Sequence, residues 1–248
     1  MRFLVSLLFV FAMEASAQVS TGSDGWQSWR IEKQPGGGEM CCYRSGRKAG
    51  CELDGRPGHH QAPMATPDGQ RFARIYARMQ DDAVLDLHTF SDSCPVTTST
   101  PINDLGLVDN ADSVDWLSAR ISDRNLDEVL LAISVHAGDK ALSRLKTSAQ
   151  PGRSHREREQ AIFWMAQHRG SETRQLITDV ARSDPSYRLR EHAVFALSQL
   201  GNVDGIDALT AVLADRSFPM NSRKQALFWL AQSDSDDAFA VIDGYLDP

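Results

Sequence analysis

RKQALFWLAQ, residues 223–232, is the third version of one ten-residue sentence: REQAIFWMAQ occupies 158–167 and REHAVFALSQ occupies 190–199, so the copies start 32 and 33 residues apart. The positions kept are Arg158, Arg190 and Arg223, then Ala161, Ala193 and Ala226, then Phe163, Phe195 and Phe228. Aliphatic residues and methionine fill Ile162, Met165, Val194, Leu197, Leu227 and Leu230 around them. Apolar residues at i, i+1, i+2 and i+4 make a stripe too wide for a single neighbour on a helix of about 3.6 residues per turn. Each copy therefore predicts a helix packed on two sides, with the small alanine allowing a partner helix to come close.

A second apolar set follows each copy in constant phase: Leu176, Ile177, Val180, Ala181; Ala208, Leu209, Val212, Leu213; Val241, Ile242, Tyr245, Leu246. Turn residues separate the two helices of each unit at Gly170-Ser171, Gly201-Asn202 and Ser233–Asp236. Ser154-x-x-Glu157 and Ser222-x-x-Gln225 read as capping boxes, and Asp184-Pro185 as a cap with proline in the first turn. One step back, Glu128–Leu131 leading to His136-Ala137-Gly138 begins a fourth, poorer unit, whose partner helix centres on Leu142 and Leu145. A terminal repeat is expected to be atypical.

These helical pairs resemble the HEAT repeat in a short bacterial form, over roughly residues 120–248. HEAT units commonly run ~40–47 residues, and the 32–33-residue period is similar to the compact HEAT-like repeats of phycobilin lyases. The resemblance implies an α-solenoid, a concave face lined by the second helices, and an unidentified protein or peptide partner. On this reading the repeated alanines and aromatics, with Trp164 and Trp229, are packing residues. The repeated arginines pair with nearby carboxylates such as Asp184 and Asp215.

The first half is written differently. MRFLVSLLFVFAMEASA, residues 1–17, has a basic start, an apolar core too short to span a bilayer and small residues before Gln18. It predicts a signal peptide cleaved after Ala17 and a periplasmic or secreted product. Residues 72–79 and 85–89 alternate with period two around Asp81-Asp82, as in a β-hairpin. Trp26–Ile31 and Met40–Tyr43 are further strand candidates joined by the turn QPGGGE, and Thr97–Asp112 reads as a connecting loop. The fold class expected is α+β: a disulfide-tied antiparallel β domain over 18–112, then a solenoid of about four HEAT-like pairs over 113–248. The sheet should pack on the first repeat.

All four cysteines, Cys41, Cys42, Cys51 and Cys94, lie in this half of an exported chain, which points to two disulfides. A bond between neighbours 41 and 42 would be strained, so one goes to Cys51 and the other to Cys94. Their spacing, even with His59-His60 nearby, fits no zinc signature. The net charge of −7 is spread over both halves, which leaves no basic surface for nucleic acid. There is no GxSxG, HExxH, Walker loop or GxGxxG, and His88, His136 and His168 read as packing or capping residues.

The function expected from these features is an exported interaction protein, a scaffold, adaptor or regulator, that is not an enzyme, has no catalytic residues, metal or cofactor, and does not span a membrane. The alternative, drawn from the lyase-like repeats, is a small-ligand or cofactor-handling protein, or an enzyme with its site at the junction of sheet and solenoid.

Overall fold

The computed structural model describes residues 19, 24–36, 38–44, 47–55, 69–168 and 171–246; the leader and its cleavage site, and His59-His60, lie outside them. Eight strands precede nine helices among these residues. The strands are β1 (Gly25–Glu32), β2 (Cys42–Arg44), β3 (Arg47–Ala49), β4 (Cys51–Glu52), β5 (Phe72–Gln80), β6 (Ala83–Ser91), β7 (Val96–Thr97) and β8 (Ile102–Leu107). The helices are α1 (Asn110–Ala119), α2 (Leu126–Val135), α3 (Asp139–Ala149), α4 (His155–Gln167), α5 (Ser171–Ser183), α6 (Tyr187–Ser198), α7 (Asn202–Ala214), α8 (Met220–Gln232) and α9 (Asp236–Leu246).

The main sheet has the order β6-β5-β1-β8. The hairpin expected around Asp81-Asp82 is β5–β6, and both aspartates take positive φ at its tip. Strand β1 pairs antiparallel with β5 but parallel with β8. Two expectations fail here. Residues 102–107, expected as loop, form the parallel edge strand, and β2 turns away from β1 to make a small ribbon with β3. The backbone groups of the central strand need partners on both sides, and β8 supplies the second set.

Alternation gives this sheet two different faces. Trp29, Ile31, Ala73, Ile75, Ala77 and Leu87 belong to one core continuous with Val114, Leu117, Val129, Leu130 and Ile133 of the first helices. Trp26, Tyr76 and Phe90 point the other way, into a smaller cluster with the four cysteines and Leu53. The solenoid thus covers one face, and the disulfides with their short strands cover the other. The chain passes from β8 to α1 through Val108 and Asp109, whose carboxylate caps α1 at the amides of Ala111 (2.8 Å) and Asp112 (3.2 Å).

In the helical half, the first helices α4, α6 and α8 lie side by side, and α5 and α7 pack against the first helix of the following unit. Ala161, Ala193 and Ala226 are fully buried at the helix contacts. Gly138 and Gly201 enter α3 and α7 with nearly the same backbone, φ 101° and 98° with ψ 164°. That region is essentially open to glycine alone, so the turn is reused between units.

The starts of the helices depart from the expected signals. Ser154 caps α4 by accepting from the Glu157 amide, but the Glu157 carboxylate accepts from the Ser148 hydroxyl instead of closing the box. Ser222 lies buried inside the first turn of α8 and donates to the Ala181 carbonyl at 2.8 Å. The cap of α6 is Ser186, whose amide donates to Asp184.

Candidate functional site

Three separated stretches of chain build the face of the sheet away from the solenoid. Parallel pairing of β4 with β7 sets Cys51 opposite Val96, with the Cys51 amide donating to the Pro95 carbonyl at 2.8 Å. The Ser91 amide donates to the Met40 carbonyl, and the Cys94 amide to the Ser91 carbonyl, each at 2.8 Å. These bonds bring residues 40–42, 51–53 and 91–97 together. The disulfides formed are Cys41–Cys94 and Cys42–Cys51.

The two bonds are themselves neighbours. Sγ of Cys51 lies 3.6 Å from Sγ of Cys94, and the sulfurs of Cys41, Cys51 and Cys94 all fall within 4.8 Å of one another. All four cysteines are buried, Cys51 completely and Cys42, the most accessible, to 7% exposure. Trp26 closes one side, its indole N–H donating to Asp54 at 2.8 Å. Asp54 also accepts from the Ser99 amide at 2.6 Å and from the hydroxyls of Thr98 and Ser99 at 2.8 Å each. These donors, the Ser99 amide foremost, hold its carboxyl well below the usual range. Burial pushes the Tyr76 hydroxyl up to about 12.

A second polar cluster lies inside the seam between sheet and solenoid. The Trp29 indole N–H donates to Ser113 Oγ at 2.8 Å, and Ser113 Oγ lies 2.8 Å from His136 Nε2. His136 Nδ1 in turn lies 2.8 Å from the Ala132 carbonyl. A carbonyl can only accept, so Nδ1 carries the proton and Nε2 accepts from the Ser113 hydroxyl. All three side chains are fully buried, and burial pushes His136 down to about 4. Around them the Glu32 carbonyl accepts from the Ala137 amide, the Gln34 amide donates to the Val135 carbonyl, and the Asn110 side chain donates to the Glu32 and Ala137 carbonyls. With both side chains fully buried, the Ser113–His136 pair is a stitch between the halves rather than a nucleophile and base. At the edge of the seam, Asp82, Val84, Arg120, Ile121 and Asn125 line an open groove of about 440 Å³.

The repeated positions fall in two groups. Arg158 is buried, ion-paired with Asp184, and donates through Nε to the Ala149 carbonyl at 2.9 Å. Arg190 and Arg223 find backbone carbonyls instead, at Asp184 (2.6 Å) and Leu213 (2.9 Å). The Asp215 carboxylate meets Arg182. Phe163 stacks on Phe195 with centroids 6.0 Å apart, and Phe195 lies 5.0 Å from Trp229. Phe228, in the last copy, is 50% exposed, since no further copy lies over it among the described residues.

The sulfur centre overturns two expectations of the sequence: an interaction protein without any constellation able to do chemistry, and a chain that is not an enzyme. Three buried sulfurs within ligand distance of each other supply the donor set of a thiolate or redox centre. Both disulfides occupy these atoms in the oxidised form described. Sequence spacing hides it, because Cys51 and Cys94 lie 43 residues apart and meet through the tertiary pairing of β4 with β7. No helix among the described residues is long and apolar enough to cross a membrane.

Residues 138–227, from the turn before α3 into α8, match the family model for HEAT repeats. No curated protein matches the chain. Among solved structures, human deoxyhypusine hydroxylase in complex with glycerol superposes with a TM-score of 0.34 and 16% identity, over 55% of this chain and 61% of that one. The chain thus spans about 61% of that protein's length, and at this level of similarity nothing of the hydroxylase passes to it.

Proposed function

We propose that this chain, whose helical half is an array of HEAT repeats, is an exported cofactor-handling protein. Its sheet domain carries a four-sulfur centre, closed as two disulfides when oxidised and able to take a thiophilic metal ion when reduced. The observation that carries the reading is the convergence of Cys41, Cys51 and Cys94 within 4.8 Å. A tetrahedral zinc with Zn–S bonds of ~2.3 Å spaces its sulfurs about 3.8 Å apart; Cys51 and Cys94 are 3.6 Å apart before any adjustment. Cys42, joined to Cys51 but outside the group of three, is the sulfur nearest at hand for a fourth position. Soft thiolates select zinc or cuprous ion over hard cations. Helices α1 and α2 bury the opposite face of the sheet, so the sulfur centre and the HEAT-matched residues lie on different sides of it.

The test is to reduce the full chain without oxygen, remove the reductant, and titrate with Co²⁺, whose thiolate complexes absorb through sulfur-to-metal charge transfer. The reading expects one ion per chain, displaced by Zn²⁺, with the absorption lost in Cys51→Ser that remains folded by circular dichroism. Four free thiols with no charge-transfer band at stoichiometric Co²⁺ would refute it. Its exported location is checked by sequencing the mature amino terminus, expected at Gln18.

A further inference from the structure

We infer that the two disulfides form an internal relay. Reduction of Cys42–Cys51 passes through the 3.6 Å contact between Cys51 and Cys94, leaving Cys51–Cys94 as the surviving disulfide and Cys41-Cys42 as an adjacent pair of thiols. The inference rests on the same four-sulfur centre as the proposed function but not on metal uptake.

Geometry sets the order of events. Cys42 is the least buried of the four, at 7% exposure against 5% for Cys94 and none for Cys51, and the relay begins with an external dithiol attacking Sγ of Cys42 and expelling Cys51 as the thiolate. The second thiol of the reagent then frees Cys42, and the reagent leaves as its own disulfide, having supplied two electrons. The expelled Cys51 sulfur lies against Sγ of Cys94, which is bonded to Cys41. Attack there forms Cys51–Cys94 and breaks Cys41–Cys94; Cys41 departs with the electron pair and takes up one of the two protons that the reagent's thiols released, Cys42 taking the other. This second step changes no oxidation state. Exchange of this kind needs a thiolate beside a disulfide sulfur and in line with the bond that breaks; with the three sulfurs all within 4.8 Å of one another the freed Cys51 side chain is beside Cys94 but off that line, so it turns before it attacks.

The product has a chemistry that neither starting disulfide has. Thiols on consecutive residues, 41 and 42, become available for further exchange, while Cys51–Cys94 still ties β4 to the segment before β7. The segments at 40–42 and 91–94 remain joined by the Ser91 amide to Met40 carbonyl bond at 2.8 Å and by the Met40 amide to Ser91 hydroxyl bond at 3.1 Å. Loss of the Cys41–Cys94 link therefore leaves the fold of this region supported.

The experiment maps connectivity in a chelator, so that metal plays no part. The oxidised full chain is treated with one equivalent of dithiothreitol, quenched in acid, alkylated and digested, and the cysteines are assigned by tandem mass spectrometry. The relay expects the two-electron-reduced chain to carry alkyl groups on Cys41 and Cys42 with a Cys51–Cys94 crosslink. Alkylation of Cys42 and Cys51 with Cys41–Cys94 intact, or of Cys41 and Cys94 with Cys42–Cys51 intact, would overturn it. Cys51→Ser gives a second reading: without the relaying sulfur, Cys41–Cys94 should resist the equivalent of dithiol that opens it in the parent, and equal loss in both proteins also overturns the inference. Failure of cobalt uptake alongside a Cys51–Cys94 crosslink would remove the metal reading and leave the relay standing.

Discussion

Acid should weaken the seam between sheet and solenoid through one residue. His136 sits at the end of α2, and its neutral Nδ1–H tautomer is the one form that lets the Trp29 indole, the Ser113 hydroxyl and the imidazole each donate to the next partner. A proton on Nε2 would turn the Ser113 hydroxyl away, and a charge would be buried. The folded value of about 4 lies below the unfolded 6.5. Above pH 6.5 both states are neutral and nothing is lost; below it the unfolded chain binds the proton first, so stability falls until the folded value is passed. Linkage at 1.36 kcal/mol per unit gives a loss of about 1.4 kcal/mol at pH 5.5 and about 3 kcal/mol at pH 4. His168 and His192 are also pushed down by burial, so the parent falls further than this. The difference between the parent and His136→Gln isolates the one group. Urea unfolding of both at pH 7, 5.5 and 4 should show the variant losing about 3 kcal/mol less over the range. Parallel pH profiles for the two proteins would refute the argument, as would nitrogen chemical shifts that place the proton on Nε2 at pH 7.

Three further outcomes follow from the packing. Arg158→Ala leaves Asp184 buried and unpaired and should cost about 3–5 kcal/mol in urea unfolding, against roughly 1 kcal/mol for the more exposed Arg223→Ala. Ala193→Leu inserts bulk where the side chain is completely buried between helices, and should lower stability by about 1–3 kcal/mol. Removing both partners of Cys41–Cys94, which closes 53 residues, should destabilise by about 4 kcal/mol, and of Cys42–Cys51, which closes 9, by about 2.6 kcal/mol, in non-reducing denaturation.

The helical half was legible because its signal is redundant: Ala161, Ala193 and Ala226 hold equivalent places, and no local exception hides a pattern stated three times. The β5–β6 hairpin was legible for the same reason, through alternation over nine-residue strands. Strand β8 was not, since Asn103, Asp104 and Gly106 give an edge strand the composition of a loop, and its partner β1 lies some 76 residues earlier. The caps misled because Glu157 and Ser222 have buried partners elsewhere, at Ser148 and Ala181, which outweigh local preference. Cysteine count pointed to two disulfides, but the contact between them is tertiary. Likewise nothing around His136 in the sequence marks Trp29 and Ser113 as its companions.

The link between the halves also bears on how the protein is made. Gln34 follows the central strand and donates to the carbonyls of Ser134 and Gln167, 133 residues away in the second case. A growing chain that has delivered every strand therefore still lacks the surfaces that complete its sheet, and the apolar face carrying Trp29 and Ile75 stays uncovered until α2 follows. Contacts this distant in sequence form slowly. Synthesis of the sheet half alone should yield an aggregation-prone fragment.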